Sequence, residues 1–201
     1  MTRNSANIAE WLTLGVNALG FGIIVAQYRK ELRHHRLELA QQMVERIDTD
    51  DLLRFAATTL DWAAGMVLVP EACRAAVADK AAIPVDLDNL RDALSIELTA
   101  TNANDTVRLM YRHAFVQLFN HLKRMGILLE SGALSVDDLQ PLSFMAASLL
   151  DWHYGNPPER RTIFVAPMTA WYPQHTPLEL VTAIARRHPW PRAGSPIVVA
   201  R

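Results

Sequence analysis

Cysteine is almost missing from this sequence: Cys73 stands alone among 201 residues. No disulfide can close within the chain, which fits a reducing cytoplasm. Glycine is also scarce, and the few present do not cluster outside positions 15, 20 and 22, so no Gly-rich phosphate loop can be assembled. Nor does either sign of charge dominate, because 20 Lys and Arg oppose 21 Asp and Glu for a net charge of −1. A chain without a global basic field is a poor binder of nucleic acid. There is no His-Glu-x-x-His and no Cys pair; His34 and His35 point about 100° apart on a helix, and His113 and His121 are too widely spaced on theirs to share one ion. No metal and no cofactor is expected.

The most informative absence is local. From Trp11 to Tyr28, WLTLGVNALGFGIIVAQY, eighteen residues pass without a charged side chain, and the basic run Arg29, Lys30, Arg33, Arg36 follows. As a helix this stretch is roughly 27 Å long, close to the ~30 Å hydrocarbon core of a bilayer. Its strong apolar residues, Leu12, Leu14, Val16, Leu19, Phe21, Ile23, Ile24 and Val25, point in all directions around the helix, as in a span or a buried core helix. Asn17, Gln27 and three glycines oppose insertion, so the net drive is small. A cleaved signal peptide is disfavoured, because a positive start and a small-residue cleavage site are both wanting. The basic flank is retained on the cytoplasmic side, which puts the N-terminus outside and the body in the cytoplasm of a single-pass inner-membrane protein. The same four basic residues can also lie against anionic lipid headgroups. Gly15, Ala18, Gly22 and Ala26 share one face on which a second span can pack closely, giving a homodimer through the span or docking to the span of another protein.

Beyond Tyr28 the pattern stays helical through Ile47, with Leu32, Leu39, Ala40, Met43, Val44 and Ile47 as a stripe and no Pro or Gly to interrupt it. Span and stalk therefore read as one long helix, on the order of 60 Å. The acidic turn Asp48 to Asp51 stops it and caps a helix from about Asp50 to Ala63. Met66 to Val69 reads as a short strand or a buried connector, Pro70 starts a short helix through about Lys80, a loop surrounds Pro84, and a helix covers Leu87 to Leu98. The strongest helix of the body runs from Asp105 to Met125, where Val107, Met110, Tyr111, Ala114, Leu118, Leu122 and Met125 keep helical spacing and Phe115 and Phe119 widen the apolar arc. Gly126 and Gly132 bracket the next turn, Ser135 caps it, and Pro141 opens another helix, so the two segments form an antiparallel helical hairpin. Eight of the eleven prolines lie after Asn156, which predicts a mostly extended C-terminal region with Thr162 to Ala166 as a strand, one helix from Pro177 to Arg187, and a tail.

Across residues 105 to 142 the chain resembles a group of uncharacterised bacterial proteins with one N-terminal span, a basic helical stalk and a small helical domain. Arg112, Phe115, Phe119, Gly132, Asp137, Asp138 and Pro141 carry the resemblance, and Leu60-Asp61-Trp62 before Pro70 adds to it. These are packing residues, and the resemblance implies no activity.

The fold class expected is thus mainly α: an extracytoplasmic segment at 1–10, a transmembrane helix at 11–28, a basic juxtamembrane stalk at 29–48, a cytoplasmic helical domain at 49–188 and a tail at 189–201. Leu-Asp-Trp occurs twice, at 60–62 and 150–152, as a helix-ending pattern and not a duplication. Cys73, in an Ala-rich turn, reads as a small buried residue. Trp171, Tyr172 and Trp190, set among prolines, are candidates for anchoring a partner protein. The leading expectation is a membrane-anchored scaffold or accessory subunit that is not an enzyme. Against it stand a tethered enzyme or sensor using Arg112, His113, Asp151 and His153, and a soluble protein with 11–28 as its core helix.

Overall fold

A computed structural model describes residues 3–61, 65–97, 105–151, 161–174 and 176–190; for 3–20, 76, 151, 161 and 162 it describes the backbone alone. The chain divides into two compact units, Met1–Leu39 and Ala40–Arg201. It is mainly helical, and the described residues form seven α-helices and one two-stranded sheet.

Helix α1 runs unbroken from Arg3 to Thr49, 47 residues or about 70 Å. In the first unit its described side chains are exposed except for the half-buried Val25 and Leu39: Phe21 is 69% exposed and Ile24 63%. Among the described residues, no helix is long and apolar enough to cross a membrane. The side chains from Trp11 to Gly20 lie outside those residues.

The second unit begins with the last turns of α1, where Ala40 and Ile47 are buried. Asp50 then accepts the amides of Leu52 and Leu53 at 3.1 and 3.2 Å, capping α2 (Asp51–Asp61) as the acidic turn predicts. Strand β1 (Met66–Leu68) pairs antiparallel with β2 (Ala82–Pro84), Val67 opposite Ile83. Both of these central side chains are buried while Met66 and Leu68 face out, the alternation of a strand with one covered face. The loop expected around Pro84 is therefore a strand. Proline is tolerated there because Pro84 closes a two-stranded ribbon in which both strands are edges. Between the strands lies a 3-10 helix, Glu71–Val77, followed by Ala78 and Asp79 in the left-handed region at φ 56° and 57°.

Helix α3 (Leu87–Ala93), capped by Asp86, ends well before the predicted Leu98. The carbonyls of Ala93 and Ser95 are taken by Arg112, at 3.0 and 2.9 Å, and not by a further helical turn. The central helix α4 (Thr106–Glu130) is capped by Asp105 and passes straight through Gly126. A single helical glycine costs only about 1 kcal/mol relative to alanine, which burial of the α4 apolar face easily offsets. Tyr111, Phe115, Phe119, Leu118 and Met125 are all fully enclosed.

Ser135 and Asp138 exchange hydrogen bonds ahead of a 3-10 helix, Asp137–Leu142, that contains Pro141 and leads into α5 (Ser143–Asp151). The predicted hairpin of α4 against this helix does not form as such. Helix α7 (Pro177–Arg187), capped by Thr176, packs against both α4 and α5, and α5 rests on α2, on α7 and on helix α6 (Arg161–Trp171). The predicted strand at 162–166 is also corrected: Arg161–Trp171 is helix α6, with Pro167 inside it. Ile163, Phe164, Pro167 and Met168 are its buried residues, a spacing that only a helix places on one face. Phe164 stacks on Phe115 with ring centroids 5.2 Å apart. Among its described residues the C-terminal region expected to be extended is thus largely two helices, and residues 191–201 of the tail lie outside the description.

Candidate functional site

In the first unit the site predicted from sequence is a surface of α1. Phe21, Ile23, Ile24 and Tyr28 are exposed, and the exposed residues Arg29, Lys30, Arg33 and Arg36 follow directly. Two imidazoles approach one carboxylate within this basic run: His34 Nε2 lies 3.2 Å and His35 Nδ1 3.5 Å from Glu38. On the small-residue face, a Cβ added at Gly22 would meet nothing within 4 Å, and Ala26 is exposed. The side chains of Gly15 and Ala18 fall outside the described residues.

In the second unit the three aromatic candidates have separate roles. Tyr172 is only 8% exposed; its hydroxyl donates to the Val116 carbonyl at 3.3 Å and its ring meets Phe119 edge-on. Burial pushes its phenol above the ordinary tyrosine range. Trp171 is half-buried beside Phe119 and lies beneath the Arg112 guanidinium, 4.6 Å from ring centroid to Cζ. Both residues fasten α6 to the central helix. Trp190 is different: it is 45% exposed and stands edge-on against Phe144 at 5.3 Å.

The polar residues proposed for a catalytic pocket are not gathered by the fold. Arg112 is committed to two backbone carbonyls and an indole, and His113 is exposed. The Asp151 side chain and His153 lie outside the described residues, as does Trp152 of the second Leu-Asp-Trp. His121 is buried: it is 3% exposed, with Nε2 2.8 Å from the Met43 carbonyl. A carbonyl only accepts, so Nε2 carries the proton. Burial lowers the pKa of His121, and Arg46 and Arg124 lower it further, against upward pulls from the Met43 bond and Asp50. Cys73 is half-buried and not enclosed, and desolvation raises its thiol pKa, away from nucleophilic use. Among the described residues no three His, Cys, Asp or Glu side chains come together as a metal set.

What the sequence did not reveal is a groove of about 410 Å³ where the end of α1, the second half of α2 and the start of α5 meet. Val44, Ile47, Leu60, Leu142, Phe144 and Met145 give it an apolar lining, and Asp48 and Asp61 bring two carboxylates to it. Asp48 and Asp61 are exposed, whereas Ile47, Leu60, Leu142 and Met145 are themselves buried, so polar and apolar groups share the open surface of the groove. The stalk stripe through Val44 and Ile47 was its one visible signal, but a stripe does not show which neighbours leave it partly uncovered. No protein-family model, curated protein or solved structure matches this chain.

Proposed function

We propose that this protein is a single-pass bacterial inner-membrane protein, its N-terminus outside and its helical body in the cytoplasm, where the body holds another protein as a scaffold or accessory subunit. One observation carries the reading: the exposed apolar side chains Phe21, Ile23 and Ile24 belong to an unbroken helix and give way at once to Arg29, Lys30, Arg33 and Arg36. Each such apolar residue favours lipid over water by about 0.3 to 0.6 kcal/mol, and the basic cluster fixes the sidedness. A second copy packing along Gly15, Ala18, Gly22 and Ala26 is part of the proposal. Support for a binding role over an enzymatic one comes from Arg112 Nη1 and His121 Nε2, both occupied by backbone carbonyls.

Carbonate extraction and a mild-detergent pull-down test this together. The intact chain should stay with the membrane, a version starting at Glu38 should not, and both should retrieve the same partner. An intact chain released by carbonate overturns the anchor. Retrieval of nothing reproducible by either version overturns the scaffold.

A further inference from the structure

Along α1 in the first unit, Phe21, Val25, Tyr28, Leu32, His35 and Leu39 follow one another at alternating steps of four and three residues. That repeat keeps one seam of a helix turned toward a neighbouring helix. The described residues of the first unit all belong to α1, so no other element of the unit covers the seam. Phe21, Tyr28 and Leu32 are exposed, Tyr28 by 61% and Leu32 by 41%. His35 is the polar member of the set, and its Nδ1 lies 3.5 Å from Glu38 at the edge of the same seam. Lys30, Arg33 and His34 fall on the far side of the helix.

The charges beside the seam identify the helix that fits it. Arg29 and Arg36 lie on one flank, Glu31 and Glu38 on the other, and all four are exposed. When two such helices run parallel and in register, the acidic flank of each meets the basic flank of the other, five residues further on. Glu31 then faces Arg36 of the second copy, and the two-fold axis repeats the pair on the opposite side. An antiparallel pair would instead set Arg against Arg and Glu against Glu. We propose that α1 of two copies of this chain pack as a parallel coiled coil from Phe21 to Leu39, with Leu32 and Leu39 meeting their counterparts and Glu31 paired to Arg36. Gly22 and Ala26 fall beside this seam and not in it, so the interface is additional to the small-residue contact of the span. Two copies anchored through the same end also run parallel, which agrees with the anchored reading above, but the seam stands on the stalk residues alone.

The test uses the full chain in isolated membranes. In a Cys73→Ser background, single cysteines are placed along the stalk and oxidised mildly. Leu32→Cys and His35→Cys should give a band at dimer mass at least tenfold stronger than Lys30→Cys and Arg33→Cys, which point away from the seam. In the His35→Cys chain, Glu31→Arg should weaken that band at least threefold, and Glu31→Arg/Arg36→Glu should restore it, because opposite charges again meet across the seam. All of these residues belong to the first unit, outside the packed body, so loss of folding does not confuse the result. Bands of equal strength at all four positions, or none at dimer mass, overturn the proposal. So does a loss caused by Glu31→Arg that the double reversal leaves unrepaired. Linking at Gly22→Cys and Ala26→Cys without linking at 32 and 35 assigns the dimer to the span and overturns the stalk seam. Carbonate extraction of the same membranes reads the anchor separately: a chain that is released yet still links at 32 and 35 overturns the anchor and supports the seam.

Discussion

Replacing Arg112 by methionine should destabilise the body by about 3 kcal/mol. The guanidinium Nη1 donates to the carbonyls of Ala93 and Ser95 at 3.0 and 2.9 Å, closing the end of α3, and the same group covers Trp171 at 4.6 Å. Hydrogen bonds to a charged group contribute about 1.5 to 3 kcal/mol each. Arg112 is half-buried, so the lower figure applies, or about 3 kcal/mol for the pair. Stacking over the indole adds roughly 0.5 to 1 kcal/mol, and methionine gives a similar amount back by keeping the apolar stem in place. For a body of this size, each kcal/mol moves the melting temperature by about 2 to 4 °C. Circular dichroism of the full chain in mild detergent should therefore show a fall of about 6 to 12 °C. Arg112→Lys should recover less than half, since an ammonium lacks the planar fork. A double-mutant cycle with Trp171→Leu isolates the stacking contribution. If Arg112→Met melts within a degree or two of the parent, Arg112 is not what holds α3 against α4.

Gly126→Ala should stabilise the body by about 0.5 to 1 kcal/mol in the same melt, because an added Cβ would sit 3.9 Å from Leu180 Cβ, ordinary contact distance; a lower melting temperature would mean that α7 needs the bare backbone. Ala78→Gly should also stabilise, by up to about 1 kcal/mol, by relieving a left-handed residue at φ 56°. The folded-state pKa of His121 is below the ordinary 6.5, so the stability that it contributes is complete above pH 6.5 and is lost as pH falls through the folded value. His121→Gln should flatten the pH dependence of the melting temperature below pH 6.5, and an unchanged slope would show that other groups govern it.

How far the fold could be read from sequence depended on whether the signal was local. The caps at Asp50 and Asp105 and the helix Pro177–Arg187 were legible, because a short acceptor or a first-turn proline acts on the next few amides alone. Thr162 to Ala166 misled because the density of prolines after Asn156 points to extended chain: Ile163, Phe164, Pro167 and Met168 acquire a common face only once Phe115 is there to stack on. The end of α3 was set by Arg112, nineteen residues away from Ala93, and no local pattern announces a cap delivered from another helix. Among the candidate residues, the apolar and basic stretches of α1 were plain in the sequence. Trp171 and Tyr172 looked like anchors for a partner because an aromatic pair beside proline reads the same whether it faces outward or inward. Burial of His121 depended on Met43, 78 residues earlier, and the groove on three elements distant in the chain.

The bond from His121 to Met43 also dictates where the protein can be cut. Hydropathy and the acidic turn at Asp48 invite trimming the N-terminal helix back to residue 48 to obtain a water-compatible fragment. Such trimming strips away Met43 and Ile47, uncovers an imidazole built to be dry, and removes one wall of the groove. A fragment for crystallisation or partner screening should retain everything from Glu38 onward, and shorter ones should precipitate or melt early.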